Sequence, residues 1–136
     1  MDLRTQGIRL FDRWTAMWNG ELHLAQEIMA PAFRLRYAQP GTEAFDDCTT
    51  PEGIASLISR WREARPGMVF SAEGEAAVDL ASIEGSVRGL VARPYLAAVH
   101  AANGQRIAKS GTDIPRVADG RISEVWSVSA SRTFYR

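Results

Sequence analysis

The sequence holds one cysteine, two histidines and no excess of either charge among its 136 residues. Each scarcity excludes something. Cys48 has no partner for an internal disulfide, and with only His23 and His100 beside it the chain lacks the three or four convergent ligands that a zinc site needs. Sixteen Lys plus Arg balance sixteen Asp plus Glu, so there is no basic field to hold nucleic acid or an anionic membrane. No apolar run approaches the ~20 residues of a membrane span. Met1-Asp2-Leu3-Arg4 leads into a charged amphipathic stretch where a signal peptide would show an unbroken apolar core, which makes the cytoplasm the expected compartment. What is present is 46% hydrophobic and 24% charged residues, enough apolar side chains for a real core, in a length that suits one domain over 1–136.

Apolar spacing predicts the elements. Ile8, Phe11, Trp14 and Trp18, with Leu10 and Met17, recur at helical intervals up to the Asn19-Gly20 stop. A second short helix is predicted over Glu21 to Met29, closed by Pro31, and completes a helical hairpin. Phe33 to Tyr37 alternates apolar and polar as a half-buried strand does. An acidic loop over Gln39 to Thr50 follows, and Thr49-Thr50-Pro51-Glu52 starts a third helix, with Thr49 and Glu52 spaced as a capping box. Its apolar stripe is Ile54, Leu57, Ile58 and Trp61, and Pro66-Gly67 ends it. From there the pattern turns strand-like over Met68 to Leu80, Ser86 to Ala101, Gln105 to Ala118 and Arg121 to Ala130, with Asn103-Gly104 and Asp119-Gly120 as hairpin turns. Helix, helix, strand, helix and an antiparallel meander make an α+β domain with its helices on one face of a curved sheet.

Hairpin register then assigns faces. With Asp119-Gly120 as a two-residue loop, Val117 meets Ile122 and Asp113 meets Trp126. Asp113, Val117, Ile122, Trp126 and Val128 share one face, and Thr112, Ile114, Arg116, Ser123, Val125 and Ser127 the other. An aspartate on the more apolar face is the most informative feature of the sequence, because desolvation raises its pKa and such groups gather at functional sites. The same carboxylate can also serve structure alone, by accepting backbone or indole hydrogen bonds. A two-residue turn at Asn103-Gly104 sets Pro94 against Asp113 and His100 against Ile107, about 20 Å along the sheet at ~3.3 Å per residue, which separates His100 from any dyad with Asp113.

The element order, the segment Arg13-Trp14-Thr15-Ala16-Met17-Trp18-Asn19-Gly20-Glu21-Leu22 and the closing run from Gly111 to Trp126 resemble the SnoaL-like branch of the NTF2-like superfamily over nearly the whole chain. The resemblance implies an NTF2-like cone, three N-terminal helices on a strongly curved antiparallel sheet that encloses a pocket, often as a homodimer through the outer sheet face. Members include polyketide cyclases, ketosteroid isomerases, dehydratases and epoxide hydrolases, so the likeness points to a fold more than to a reaction. In the frame Asp-x-x-Arg-x-x-x-Gly, filled by Asp113, Arg116 and Gly120, Asp113 takes the place of the protonated oxyanion-hole aspartate of the isomerases, and Trp14 that of their oxyanion-hole tyrosine. The isomerase base has no counterpart, since Tyr37-Ala38-Gln39-Pro40 offers no carboxylate, and Ser127 and Ala130 stand where acids often follow the closing Trp.

The expected protein is a cofactor-free lyase or isomerase working by acid/base chemistry on an apolar small molecule, polyketide, steroid or terpenoid in character. Asp113 is its acid/base, and Trp14, Tyr37, Gln39, Arg88 and Trp126 are its binding residues. Arg88 is the candidate oxyanion partner, because its strand neighbours Val87, Leu90 and Val91 are apolar. Asp46 or Asp47 supplies a second carboxylate if the acidic loop folds over the pocket. Cys48, among acids, is a poor nucleophile, and His23 is a partly exposed helix residue. Two further readings stand beside the enzyme: a binding protein for an apolar ligand, and an interaction module using Ile114, Val125 and their neighbours on the outer sheet face.

Overall fold

The computed structural model describes residues 1–135; Arg136 lies outside the described residues. Helix α1 spans Leu3–Trp18 and begins before the apolar stripe does, because the Asp2 carboxylate caps it by accepting from the Thr5 amide at 2.7 Å. Helix α2 is shorter than its periodicity suggests, Leu24–Ile28, since strand β1 takes over at Met29 and runs through Pro31 to Tyr37. Helix α3, Pro51–Glu63, is capped by Thr50, whose hydroxyl accepts from the Gly53 amide at 3.2 Å. The capping box at Thr49 is therefore not formed. Glu52 accepts from Gln26 of α2 instead, at 2.7 Å.

The segment predicted as one strand from Met68 to Leu80 is two, β2 (Val69–Ala72) and β3 (Ala77–Ile83), parted around Gly74, whose φ of 63° suits a glycine. Strands β4 (Ser86–His100), β5 (Arg106–Ala118) and β6 (Arg121–Ser129) form the meander. The sheet runs β1-β6-β5-β4-β2, and β3 pairs with the first half of β4 while β2 pairs with the second. All of these pairings are antiparallel except β1 with β6, which is parallel. The three helices pack on one side of this open sheet over Phe11, Trp14, Met17, Ile28, Ile54, Ile58, Val91, Ile122 and Val125, all 1% exposed or less. Each such side chain contributes about 1.5–3 kcal/mol by leaving water. No helix among the described residues is long and apolar enough to cross a membrane.

Two register details depart from the sequence expectation, and both act on the site. At the β5–β6 hairpin, Asp119 and Gly120 take φ of 50° and 75° as the two-residue turn requires, and Val117 pairs with Ile122. One residue later the register slips, Arg116 pairing with Glu124 and leaving Ser123 as a bulge. Beyond it every side chain of β6 changes face. Ser127, and not Trp126, stands opposite Asp113, while Val125 points into the core and Trp126 pairs with Ile114 on the outer face. At the β4–β5 turn, Ala101 bonds to Gln105 around three loop residues, so His100 faces Arg106, and Arg93 rather than Pro94 faces Asp113.

Gly89 lies in the half of β4 that pairs with β3. It pairs with Leu80 of β3 and Val117 of β5 at a φ of 140°, and a Cβ there would stand 2.0 Å from the Asp79 carbonyl oxygen. Gly89→Ala is expected to cost about 3 kcal/mol of unfolding free energy, since it combines a strained φ with a backbone collision. Gly85→Ala, with a φ of 80° and nothing within 4 Å of the new Cβ, is expected to cost only about 1 kcal/mol. Urea denaturation of the two variants checks the contrast, and equal losses would contradict it.

Candidate active site

Asp113 lies mid-strand on the inward face of β5, between Arg93 of β4 and Ser127 of β6. Its Oδ2 accepts a hydrogen bond from Trp14 Nε1 at 2.8 Å, and both residues are buried. The bond joins α1 to the sheet across 99 positions of sequence. Arg93 does not neutralise the carboxyl, because its guanidinium turns to the rim, donating from Nε to the Gly74 carbonyl at 3.0 Å and lying 3.4 Å from Asp12. Among the described residues no Lys or Arg forms an ion pair with Asp113. Burial pushes its pKa above the ordinary 3.8, and the Ser127 hydroxyl and Trp14 indole, which favour the charged form, only partly offset this.

Asp113 forms the deep end of a cavity of about 120 Å³ between the helices and the sheet. Trp18 is the hub of its aromatic wall, with ring centroids 5.6 Å from Phe45 and 5.7 Å from both Trp61 and Phe70. Phe45 arrives from a short 3₁₀ turn, Glu43–Phe45, so the loop over Gln39 to Thr50 does fold against the pocket. It does so through this aromatic ring. Asp46 and Asp47 remain exposed and do not line the cavity, so the loop supplies no second carboxylate.

Tyr37, at the end of β1, and Tyr95, on β4, line the same cavity. Burial first, and the nearby Asp113 charge second, push Tyr95 up to about 12 and Tyr37 well above the usual phenol value. Both stay neutral and offer hydroxyl donors. Room for the Tyr95 ring comes from the residue opposite it, Gly111, where an added Cβ would lie 2.5 Å from the phenol carbon and oxygen. Gln39 also lines the cavity, and its Oε1 is buried with no hydrogen-bond partner. Lys109, on the same face of β5, and Arg65, just after α3, complete the lining.

Of the residues singled out in the sequence, Asp113, Trp14, Tyr37 and Gln39 come together in this cavity, and two do not. Arg88 is exposed, pairs in register with Ala81, and borders a separate surface groove with Asp79 and Arg116. Trp126 is carried to the outer face by the bulge, where the Arg116 guanidinium lies 5.3 Å from its ring. The same bulge withdraws Val125 from the outer face proposed for interaction. His100 and His23 are exposed, and Cys48 is a buried thiol raised by desolvation. Among the described residues no three His, Cys, Asp or Glu side chains gather as metal ligands do. Tyr95, Ser127, Lys109, Arg65 and Phe45 are among the lining residues that sequence reasoning missed. For Lys109 a signal existed, since it lies four residues before Asp113 and so shares its face.

The raised carboxyl has a consequence for stability. An unfolded Asp113 loses its proton near 3.8 while the folded one keeps it to higher pH, so its burial costs progressively more as pH climbs through that interval. Asp113→Asn, which keeps an oxygen for the Trp14 indole, escapes that cost. The melting temperature of Asp113→Asn relative to wild type is expected to rise between pH 4 and pH 7. A flat or falling difference in thermal melts would contradict the assignment.

No protein-family model matches the sequence, and no curated protein matches it. Solved structures do. A proposed polyketide cyclase from Acidithiobacillus ferrooxidans superposes with a TM-score of 0.68 at 16% identity, over 95% of this chain and 91% of that one. A proposed isomerase of the SnoaL-like family from Agrobacterium tumefaciens gives 0.67 at 22% identity, over 93% and 98%. IdmH, a proposed polyketide cyclase from Streptomyces antibioticus, gives 0.66 at 22% identity, over 91% of each chain. Three helices on a bent, open sheet are the fold that these structures share, and this chain has that NTF2-like, SnoaL-like fold.

Proposed function

We propose that the protein is an acid/base catalyst of the lyase or isomerase kind, acting without a cofactor on an apolar, enolisable small molecule of polyketide, steroid or terpenoid character. One observation carries the reading: the deep end of an aromatic cavity holds a buried carboxyl with no cation beside it, fixed by an indole donor. A carboxyl raised toward neutrality takes a proton from carbon and returns it more readily than an ordinary aspartate. Trp14 holds Oδ2 and orients the carboxyl, which exchanges the proton with the substrate. The neutral phenols of Tyr37 and Tyr95 donate to the oxygen on which negative charge develops. The aromatic walls bind the apolar body and keep water from competing. Enolisation, ring closure through an enol, and loss of water next to a carbonyl all need these parts.

A second reading, ligand binding without turnover, is favoured by one fact: among the described residues Asp113 is the only carboxylate that lines the cavity. The two separate in heavy water. With 2-tetralone, an enolisable bicyclic ketone, wild type is expected to accelerate hydrogen–deuterium exchange next to the carbonyl, followed by proton NMR. Asp113→Asn is expected to lose roughly 10²–10⁴ of that acceleration. Ketone binding without exchange by wild type would favour the second reading, and equal exchange by the variant would remove Asp113 from the chemistry.

A further inference from the structure

The cavity has two chemically distinct ends. Asp113 is buried at one, and the exposed Arg65 and Pro40 mark the other as the mouth. Lys109 lines the cavity from β5, four residues from Asp113 and therefore about 13 Å away along the strand at ~3.3 Å per residue. Half-buried, it makes no salt bridge among the described residues. Arg65 is likewise without an acid partner; its guanidinium lies 4.4 Å from the centre of the Trp61 ring and donates to the Trp61 carbonyl at 3.2 Å. A planar cation laid on an aromatic wall keeps its remaining N–H groups free for an anion. Two cations without an ion-pair partner thus line the same largely aromatic cavity, and among the described residues its lining holds no carboxylate but Asp113. The unpartnered Gln39 oxygen is a further sign that this lining is built for an occupant.

We propose that the ligand of this cavity is an apolar molecule carrying a carboxylate, with the carboxylate held at the mouth by Lys109 and Arg65 and the apolar body directed inward to Asp113. The proposal rests on the reading of the cavity as the substrate site, and it names the substrate class: an aromatic or polycyclic acid rather than a neutral ester or sterol. The cations fix one end, and the strand then sets which atom of the body reaches the carboxyl, so the anion acts as an anchor for orientation.

Matched probes test it. Isothermal titration of 2-naphthoate and 2-naphthamide, alike in ring and differing in charge, is expected to show about tenfold tighter binding of the acid, as a charge-assisted contact gives. The preference is expected to shrink with added salt. It is expected to persist in Lys109→Arg and in Asp113→Asn and to vanish in the double variant Lys109→Met, Arg65→Met. Equal binding of acid and amide by wild type, or a preference that survives the double variant, would overturn the anchor while leaving the role of Asp113 to the exchange experiment. Conversely, a lost exchange phenotype with the acid preference intact would overturn the acid/base reading alone. Failure of both naphthyl compounds to bind would remove the cavity as a ligand site and overturn both.

Discussion

The hydrogen bond from the Trp14 indole to the Asp113 carboxyl is the constraint around which the rest of the molecule is arranged. It closes the first helix onto β5, the middle strand of the meander, and it does so in a place where either group left alone would be costly. A buried indole N–H without an acceptor and a buried carboxyl without a donor each cost on the order of 1–3 kcal/mol. Satisfying one with the other fixes the rotation of α1, and with it the side of that helix from which Phe11 and Trp18 enter the cavity wall. The carboxyl is still desolvated, and nothing cationic compensates it. The fold thus retains a group that would be more stable elsewhere, in the position where a proton carrier is useful.

Space around that pair is set by small departures from regular strands. Ser123 is the extra residue that turns β6 by one position, bringing Ser127 to Asp113 and sending Trp126 outward. Gly111 leaves the gap that the Tyr95 ring fills. Gly89 lets β3 pass close against the first half of β4, where a Cβ would meet the Asp79 carbonyl, while β2 takes the second half. Each moves a side chain by one position or one face, and together they turn the sheet from a core wall into the lining of a cavity.

Much of this was legible in the amino-acid sequence. The order of elements follows from helical and alternating apolar spacing, and Asp113 stands out as an acid in an apolar strand. The resemblance sets Asp113 and Trp14 at the two oxyanion-hole positions, while the hydrogen bond between them comes from the structure. What was not legible depends on events without a side-chain signature. A bulge at Ser123 looks like an ordinary strand residue, yet it reverses the faces of Val125, Trp126 and Ser127. The three-residue turn at Ala102-Asn103-Gly104 reads as a two-residue one and shifts Arg93 into the place given to Pro94. Arg88 fits a buried strand by its neighbours, but its section of β4 is paired with β3 and carries it to the surface. The contribution of Arg65 depends on where α3 ends against the sheet, and that of Phe45 on how a loop folds; neither follows from local spacing.

The central claim is that Asp113 is a desolvated carboxyl whose burial outweighs its hydrogen-bond donors, the Trp14 indole among them, and its titration tests this most directly. Carbon-13 NMR of protein labelled at the aspartate carboxyl carbon, with the Asp113 signal assigned by its absence from Asp113→Asn, gives the midpoint in the folded chain. The midpoint is expected above the 3.8 of an ordinary aspartate, and higher still in Trp14→Phe, where one of the two donors that favour the ionised form is gone. A midpoint at or below 3.8 in wild type would contradict the account.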